Sequence, residues 1–214
     1  MRSLWFCVPV HGRLPLAAIC LRQLRRTCDE LIEAGIPASA VVVTDAESHY
    51  QLSRLTGNLR FASVRRDNDF LGRRFNDGIQ LATDPKYNPH PVTHVVPCGS
   101  DDWVDSRIFL DLPDADTVVG FQRMSFVRED GQEMVSTFLN YEGGAGIRII
   151  PAELVQPLGY RAAEEDRKRG CDTSILRNLR AHHGDLLRSN TGICTTGRSW
   201  TGKRRERNST RSMR

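Results

Sequence analysis

Two adjacent carboxylates, Asp101 and Asp102, directly follow an apolar run from Val92 to Pro97 that reads as a strand buried on both faces. Carboxylates at such a strand end are costly unless something positive pairs with them. A divalent cation fits: Mn²⁺ or Mg²⁺ takes one or two carboxylates together with phosphate oxygens. Carrying a nucleotide diphosphate, the ion would act as a Lewis acid on the departing group. A plainer reading makes the Asp pair a cap for a helix beginning near Val104. Residue type alone does not separate the two. Within the pair, Asp102 is the better placed for metal, while Asp101 could hold a ribose hydroxyl.

The elements that must position this pair alternate strand and helix, which predicts a single α/β domain with a mostly parallel central sheet flanked by helices. Leu4 to Val10 reads as a buried strand, and Leu16 to Glu33 carries a helical apolar stripe closed by Gly35 and Pro37. Ala40 to Val43, Leu59 to Val64 and Val92 to Pro97 complete the expected strands of the first half. Helices are expected over Glu47 to Leu55 and Phe70 to Ala82. The second half is less regular, with strands at Thr117 to Phe121, Met134 to Phe138 and Ile147 to Ile150. A glycine-rich turn falls at Glu142 to Gly146, and a helix is clearest over Asp172 to Leu179. Strand ends in open sheets of this kind are where ligands bind.

Composition excludes several classes. The chain of 214 residues suits one sizeable core. No apolar run approaches the roughly 20 residues that span a bilayer, so no transmembrane segment is expected. Six cysteines lack C-x-x-C spacing, which argues against a zinc or redox site and for a reducing, cytoplasmic setting. The net charge of +4 is a terminal feature: from Arg198 onward seven Lys/Arg face one acid, so the tail holds +6 and the body −2. The expected division is a catalytic body over 1–197 and a basic, flexible tail over 198–214. No G-x-G-x-x-G follows the first strand and no G-x-x-x-x-G-K-[ST] occurs, which disfavours dinucleotide oxidoreductases and Walker-type phosphate transfer.

Ser100-Asp101-Asp102 at a strand end resembles the Asp-rich metal motif of GT-A glycosyltransferases, particularly the inverting family-two type. Upstream, Asn68-x-x-x-Gly72-Arg73-x-x-Asn76-x-Gly78 is similar to the Asn/Gly/Arg-Asn-Gly segment that precedes that motif, and the spacing between the two also fits. Where the family often has a further Asp, this chain has Gly99. The resemblance implies that the loop Pro9-Val10-His11-Gly12-Arg13 lines the nucleobase pocket. It implies that Asp45 contacts base or ribose, and that Asn68 and Arg73 lie at the nucleotide, where a guanidinium suits phosphate. Asn76 and Gly78 would shape the helix.

An inverting transfer also needs a carboxylate to accept the acceptor hydroxyl's proton. Gly159-Tyr160-Arg161 followed by Arg169-Gly170-Cys171-Asp172-Thr173 resembles the family's acceptor loop and Glu-Asp motif, which maps the base to Asp172, with Cys171 in place of the usual acid. A helix cap is the plainer role for Asp172. Glu164, Glu165 and Asp166 are close alternatives as base, although an acidic-basic run such as Glu164 to Arg169 is more often a solvated face. His182-His183 suits a helix end better than a metal site. Trp103 could wall the sugar or fill the core, and Gly143-Gly144 could admit the acceptor or simply turn. The implied reaction transfers a sugar from a UDP- or GDP-sugar to a hydroxyl of a protein, glycan or modified nucleic acid. The alternatives are a sugar nucleotidyltransferase on a related fold and a non-catalytic nucleic-acid binder using the basic tail.

Overall fold

The computed structural model describes residues 2–57, 61–67, 70–88, 90–110, 118–127, 134–138, 147–184 and 187–197, with 121–127, 134–138 and 187–197 described by their backbone alone. The basic tail, Asn68 and Gly143-Gly144 lie outside the described residues.

The first half alternates as its hydrophobic patterning predicts: β1 (Leu4–Pro9), α1 (Leu14–Glu33), β2 (Ala38–Thr44), α2 (Ala46–Thr56), β3 (Ala62–Arg65), α3 (Leu71–Thr83) and β4 (His94–Pro97). The strands lie side by side in the order β3-β2-β1-β4, all parallel. β1 is apolar on both faces because both are covered. Leu4, Phe6 and Val8 pack with Leu21, Leu24 and Leu31 of α1, while Cys7 joins Val41, Val43, Phe75 and Ile79 on the α3 side. Phe6 meets Phe109 edge-on, with ring centroids 5.3 Å apart.

The second half extends this sheet: β5 (Asp102–Trp103), α4 (Arg107–Leu110), β6 (Val118–Val127), β7 (Met134–Phe138), β8 (Arg148–Pro151), α5 (Ala152–Val155), a 3₁₀ turn at Gln156–Leu158, α6 (Cys171–His183) and β9 (Leu187–Gly197). β8 joins antiparallel to β4, β6 antiparallel to β8, and β9 runs parallel to β6 and antiparallel to β5. The half that carries the strand ends is the parallel one, and most of the added pairing is antiparallel. β9 has no counterpart among the expected strands, and α1 starts two residues earlier than Leu16. Ile19 and Ile32, which fall in the apolar stripe expected over Leu16 to Glu33, stand 49% and 50% exposed at its margins. Among the described residues no helix is long and apolar enough to cross a membrane.

Helix α3 binds the two halves. Its Gly72 lies so close to the segment before α6 that an added Cβ would fall 1.7 Å from the Glu164 carbonyl oxygen, and the Gly72 N–H donates to the Arg167 carbonyl at 3.0 Å. Gly78 lies over β1 and β2, where a Cβ would meet Cys7 at 3.1 Å. Gly72→Ala is therefore expected to push the 163–167 segment away and to cost about 1–3 kcal/mol, read as a lower urea midpoint.

Candidate functional site at the strand ends

Strands β1 and β4 end together, and the loops after them form a cleft of about 650 Å³ with the start of α3 and the segment before α6. Pro9, His11 and Arg13 come from the β1 loop, and Leu71, Arg74 and Phe75 from the start of α3. Gly99, Ser100 and Asp101 follow β4, and Lys168 and Arg169 precede α6. The β1 loop turns through Gly12 and Arg13, both in the left-handed region at φ +61° and +43°. That conformation is strained for arginine, and it brings Arg13 to 3.1 Å from Asp101.

The two carboxylates divide their work. Asp101 faces the cleft. Asp102 folds back so that its Oδ2 accepts the Gly99 N–H at 2.7 Å, closing the turn after β4. Glycine at position 99 is what lets both acids approach: a Cβ there would stand 2.7 Å from Asp102 Oδ2 and 3.0 Å from Asp101 Oδ1. Two carboxylate oxygens thus border one small space, a donor set that fits Mg²⁺ or Mn²⁺ completed by phosphate and water. Among the described residues no group of three or more His, Cys, Asp or Glu gathers for a metal, so such an ion would lean on ligands from its substrate.

Asp45 begins α2 and caps it: its Oδ1 accepts the Ser48 N–H and its Oδ2 the Ser48 hydroxyl, each at 2.8 Å. Behind it stands Arg74, only 1% exposed, whose Nη1 donates to the Val10 carbonyl at 2.7 Å and whose Nη2 lies 3.6 Å from Asp45. Burial acts to raise the Asp45 pKa. The Ser48 hydrogen bonds and the Arg74 charge outweigh it and hold the carboxyl below its ordinary value. Val10 itself is buried and acts through its carbonyl.

Arg73, expected beside the nucleotide, lies elsewhere. Its guanidinium sits 5.2 Å over the Phe70 ring, and it lines a separate hollow with Arg65, Arg66 and Asp77. Successive helical residues rotate by about 100°, so Arg73 and Arg74 cannot face the same way. The sequence carried a signal for Arg74, which falls within the apolar stripe of Leu71, Phe75, Gly78, Ile79 and Ala82. A charge in such a stripe marks a buried polar partner.

Asn76 pairs with the backbone of Ala163 in both directions, its Nδ2 donating to the carbonyl at 2.9 Å and its Oδ1 accepting the N–H at 2.8 Å. It thereby fixes the segment leading to Lys168, Arg169 and α6. Asp172 sits partly exposed in the first turn of α6, after the N-capping residue Gly170. Beside it, burial and then the Asp172 charge push the Cys171 thiol up to about 11, so it stays neutral near pH 7. His183 shares a hydrogen bond of 2.9 Å with the Leu154 carbonyl at the far end of α6. Trp103 donates to Cys20 Sγ at 2.8 Å and packs beside α1, apart from the cleft.

No family model and no curated protein sequence matches the chain. Solved structures do. A fragment of TarS from S. aureus bound to UDP-GlcNAc is similar at 13% identity with a TM-score of 0.61, over 92% of this chain and 59% of that one. Glucosyl-3-phosphoglycerate synthase from Mycobacterium tuberculosis, with Mg²⁺ and UDP, is similar at 10% identity and 0.55, over 92% and 70%. The 4-diphosphocytidyl-2C-methyl-D-erythritol synthase of Anaerococcus prevotii is similar at 11% and 0.54, over 90% and 87%. The chain thus spans somewhat over half of the TarS fragment. The likeness shows the fold: this is the GT-A architecture of nucleotide-diphospho-sugar transferases, as the Asp pair and the α3 segment implied.

The sign of the Asp45 shift gives a test. A folded-state pKa below the unfolded one contributes stability above the ordinary carboxylate range, and that contribution is lost as pH falls through the folded value. Thermal melts of Asp45→Asn should lie below the parent at pH 7, and the gap should close as pH falls below the ordinary carboxylate range.

Proposed function

We propose that this protein is a glycosyltransferase that moves a sugar from a nucleotide-sugar donor, UDP- or GDP-linked, to an acceptor hydroxyl with inversion. The observation that carries the reading is the convergence of Asp101 Oδ1 and Asp102 Oδ2 on the space beside Gly99, at the mouth of a cleft walled by strand ends. Structures of the same architecture bound to UDP-GlcNAc, or to Mg²⁺ and UDP, support it.

In this reading the base and ribose lie over the ends of β1 and β2. There Asp45 accepts from the nucleoside, and Arg74 holds Asp45 and the Val10 carbonyl in register. Pro9, His11 and Arg13 border the nucleotide from the β1 loop. Asn68, which lies outside the described residues, is assigned there by the motif alone. Arg73 is a poorer candidate than Arg74, because it lines the other hollow. Asp101 and Asp102 would hold Mn²⁺ or Mg²⁺, whose chemistry is neutralisation of the leaving diphosphate.

The acceptor oxygen attacks the anomeric carbon as the bond to the diphosphate breaks. The hydroxyl proton passes to the Asp172 carboxylate, and the nucleoside diphosphate departs with the electron pair. Asp172 follows directly on the Lys168–Arg169 segment that faces the cleft, which supports its assignment as base.

The nucleotidyltransferase among the similar structures makes that activity the control reading. Thermal shifts with nucleoside diphosphates, their sugars and nucleoside triphosphates, with and without Mn²⁺, should show stabilisation by one diphosphate and its sugar, dependent on metal. A response to triphosphates alone favours nucleotidyl transfer. Asp102→Ala, and Asp101→Ala likewise, should weaken metal-dependent nucleotide binding by tenfold or more. Asp172→Asn should still bind donor while kcat falls by at least about a hundredfold; retained turnover removes Asp172 from the base role.

A further inference from the structure

The segment between the Asn76 anchor and α6 sorts its charges by direction. Its first two acids turn to neighbours: Glu164 pairs with Arg167 and Arg177, and Glu165 with Arg161 at 2.5 Å. Its two exposed cations, Lys168 and Arg169, face the cleft opposite Asp101. The Lys168 ammonium rests 5.5 Å over the Phe70 ring at the rim.

The other cleft charges already have counterparts. Arg13 is answered by Asp101, and Arg74 by Asp45. A divalent cation and the two phosphate charges of a nucleotide-sugar cancel one another. Among the described residues neither Lys168 nor Arg169 forms an ion pair. Lys168 and Arg169 also sit four and three residues before Asp172, the proposed base.

We infer that the acceptor is anionic, carrying a phosphate or carboxylate near its reacting hydroxyl, and that Lys168 and Arg169 select it by that charge. Arg169 suits such a group because a guanidinium offers paired donors to a carboxylate or phosphate. The inference rests on the transferase reading and adds the class of acceptor.

The test uses the full chain with its preferred donor and Mn²⁺, and three acceptors of similar ring size: glucose, glucuronate and glucose 6-phosphate. The charged acceptors should exceed glucose in kcat/KM by about tenfold or more, with the gap narrowing in about 0.5 M salt. The arm that leads, carboxylate or phosphate, identifies the group. The double variant Lys168→Gln, Arg169→Gln should lose that preference through a higher KM for the charged acceptors, and Arg169→Lys should retain part of it. Equal use of all three acceptors by the parent overturns the inference. So does a double variant whose loss appears as weaker binding of nucleoside diphosphate and Mn²⁺, since both cations would then serve the leaving group. If no nucleotide binds at all, the transferase reading falls separately. Calorimetric titration with glucose 6-phosphate alone then decides the anion site: binding that the double variant abolishes upholds it, and no binding removes it.

Discussion

The Arg74 guanidinium, held between the Val10 carbonyl and the Asp45 carboxylate, is the contact on which the strand-end cleft depends. Burying a cation is expensive, and breaking such a pair by removing one partner commonly costs about 3–5 kcal/mol. The expense has a structural return. Arg74 comes from α3, Val10 follows β1 and Asp45 follows β2, so one side chain sets the relative height of three elements where they meet the cleft. Hydrophobic packing beneath fixes how the helices cover the sheet, but it is non-directional and cannot place a carboxylate to a fraction of an ångström. A charge with few allowed partners can.

Helix α3 extends this role across the molecule. Toward the parallel sheet it presents Arg74, Phe75, Gly78 and Ile79, and toward the α6 segment it presents Gly72 and Asn76. The glycines permit contact at backbone distance, and the asparagine converts one such contact into a reciprocal pair of hydrogen bonds. Under the transferase reading, nucleotide side and acceptor side are thereby braced by one helix, which suits a reaction needing its partners at a defined separation. Asn76, expected to shape its own helix, fixes the neighbouring segment through the Ala163 backbone.

The parallel half of the fold was legible because period and burial agree there. Continuous apolar runs marked β1, β2 and β4, and a 3.6-residue stripe marked α1 and α3. The Asp101-Asp102 pair was legible because charge directly after such a run has few explanations. Three features were not legible. The rotation that separates Arg73 from Arg74 is a single residue, below what a motif match resolves. The division of Asp101 and Asp102 between cleft and turn depends on a backbone reversal that only Gly99 hinted at. Strand β9 runs through Arg188, Ser189, Asn190 and three threonines, and such a polar stretch lacks the apolar alternation by which strands are recognised.

The Arg13–Asp101 pair shows how a site can keep acidic groups ready without committing them. Arg13 is half exposed, and an exposed ion pair contributes only about 0–1 kcal/mol. Its left-handed backbone offsets part even of that. Under the transferase reading, a divalent ion arriving with its diphosphate competes for Asp101 against a weak, solvent-screened partner. Once displaced, Arg13 remains on the β1 loop at the edge of the same cleft, within reach of phosphate oxygens. The Arg74–Asp45 pair is the opposite case, with its guanidinium shielded from solvent. Under the transferase reading, the shielded pair thus stands where the nucleoside is read, and the exposed one where charge moves.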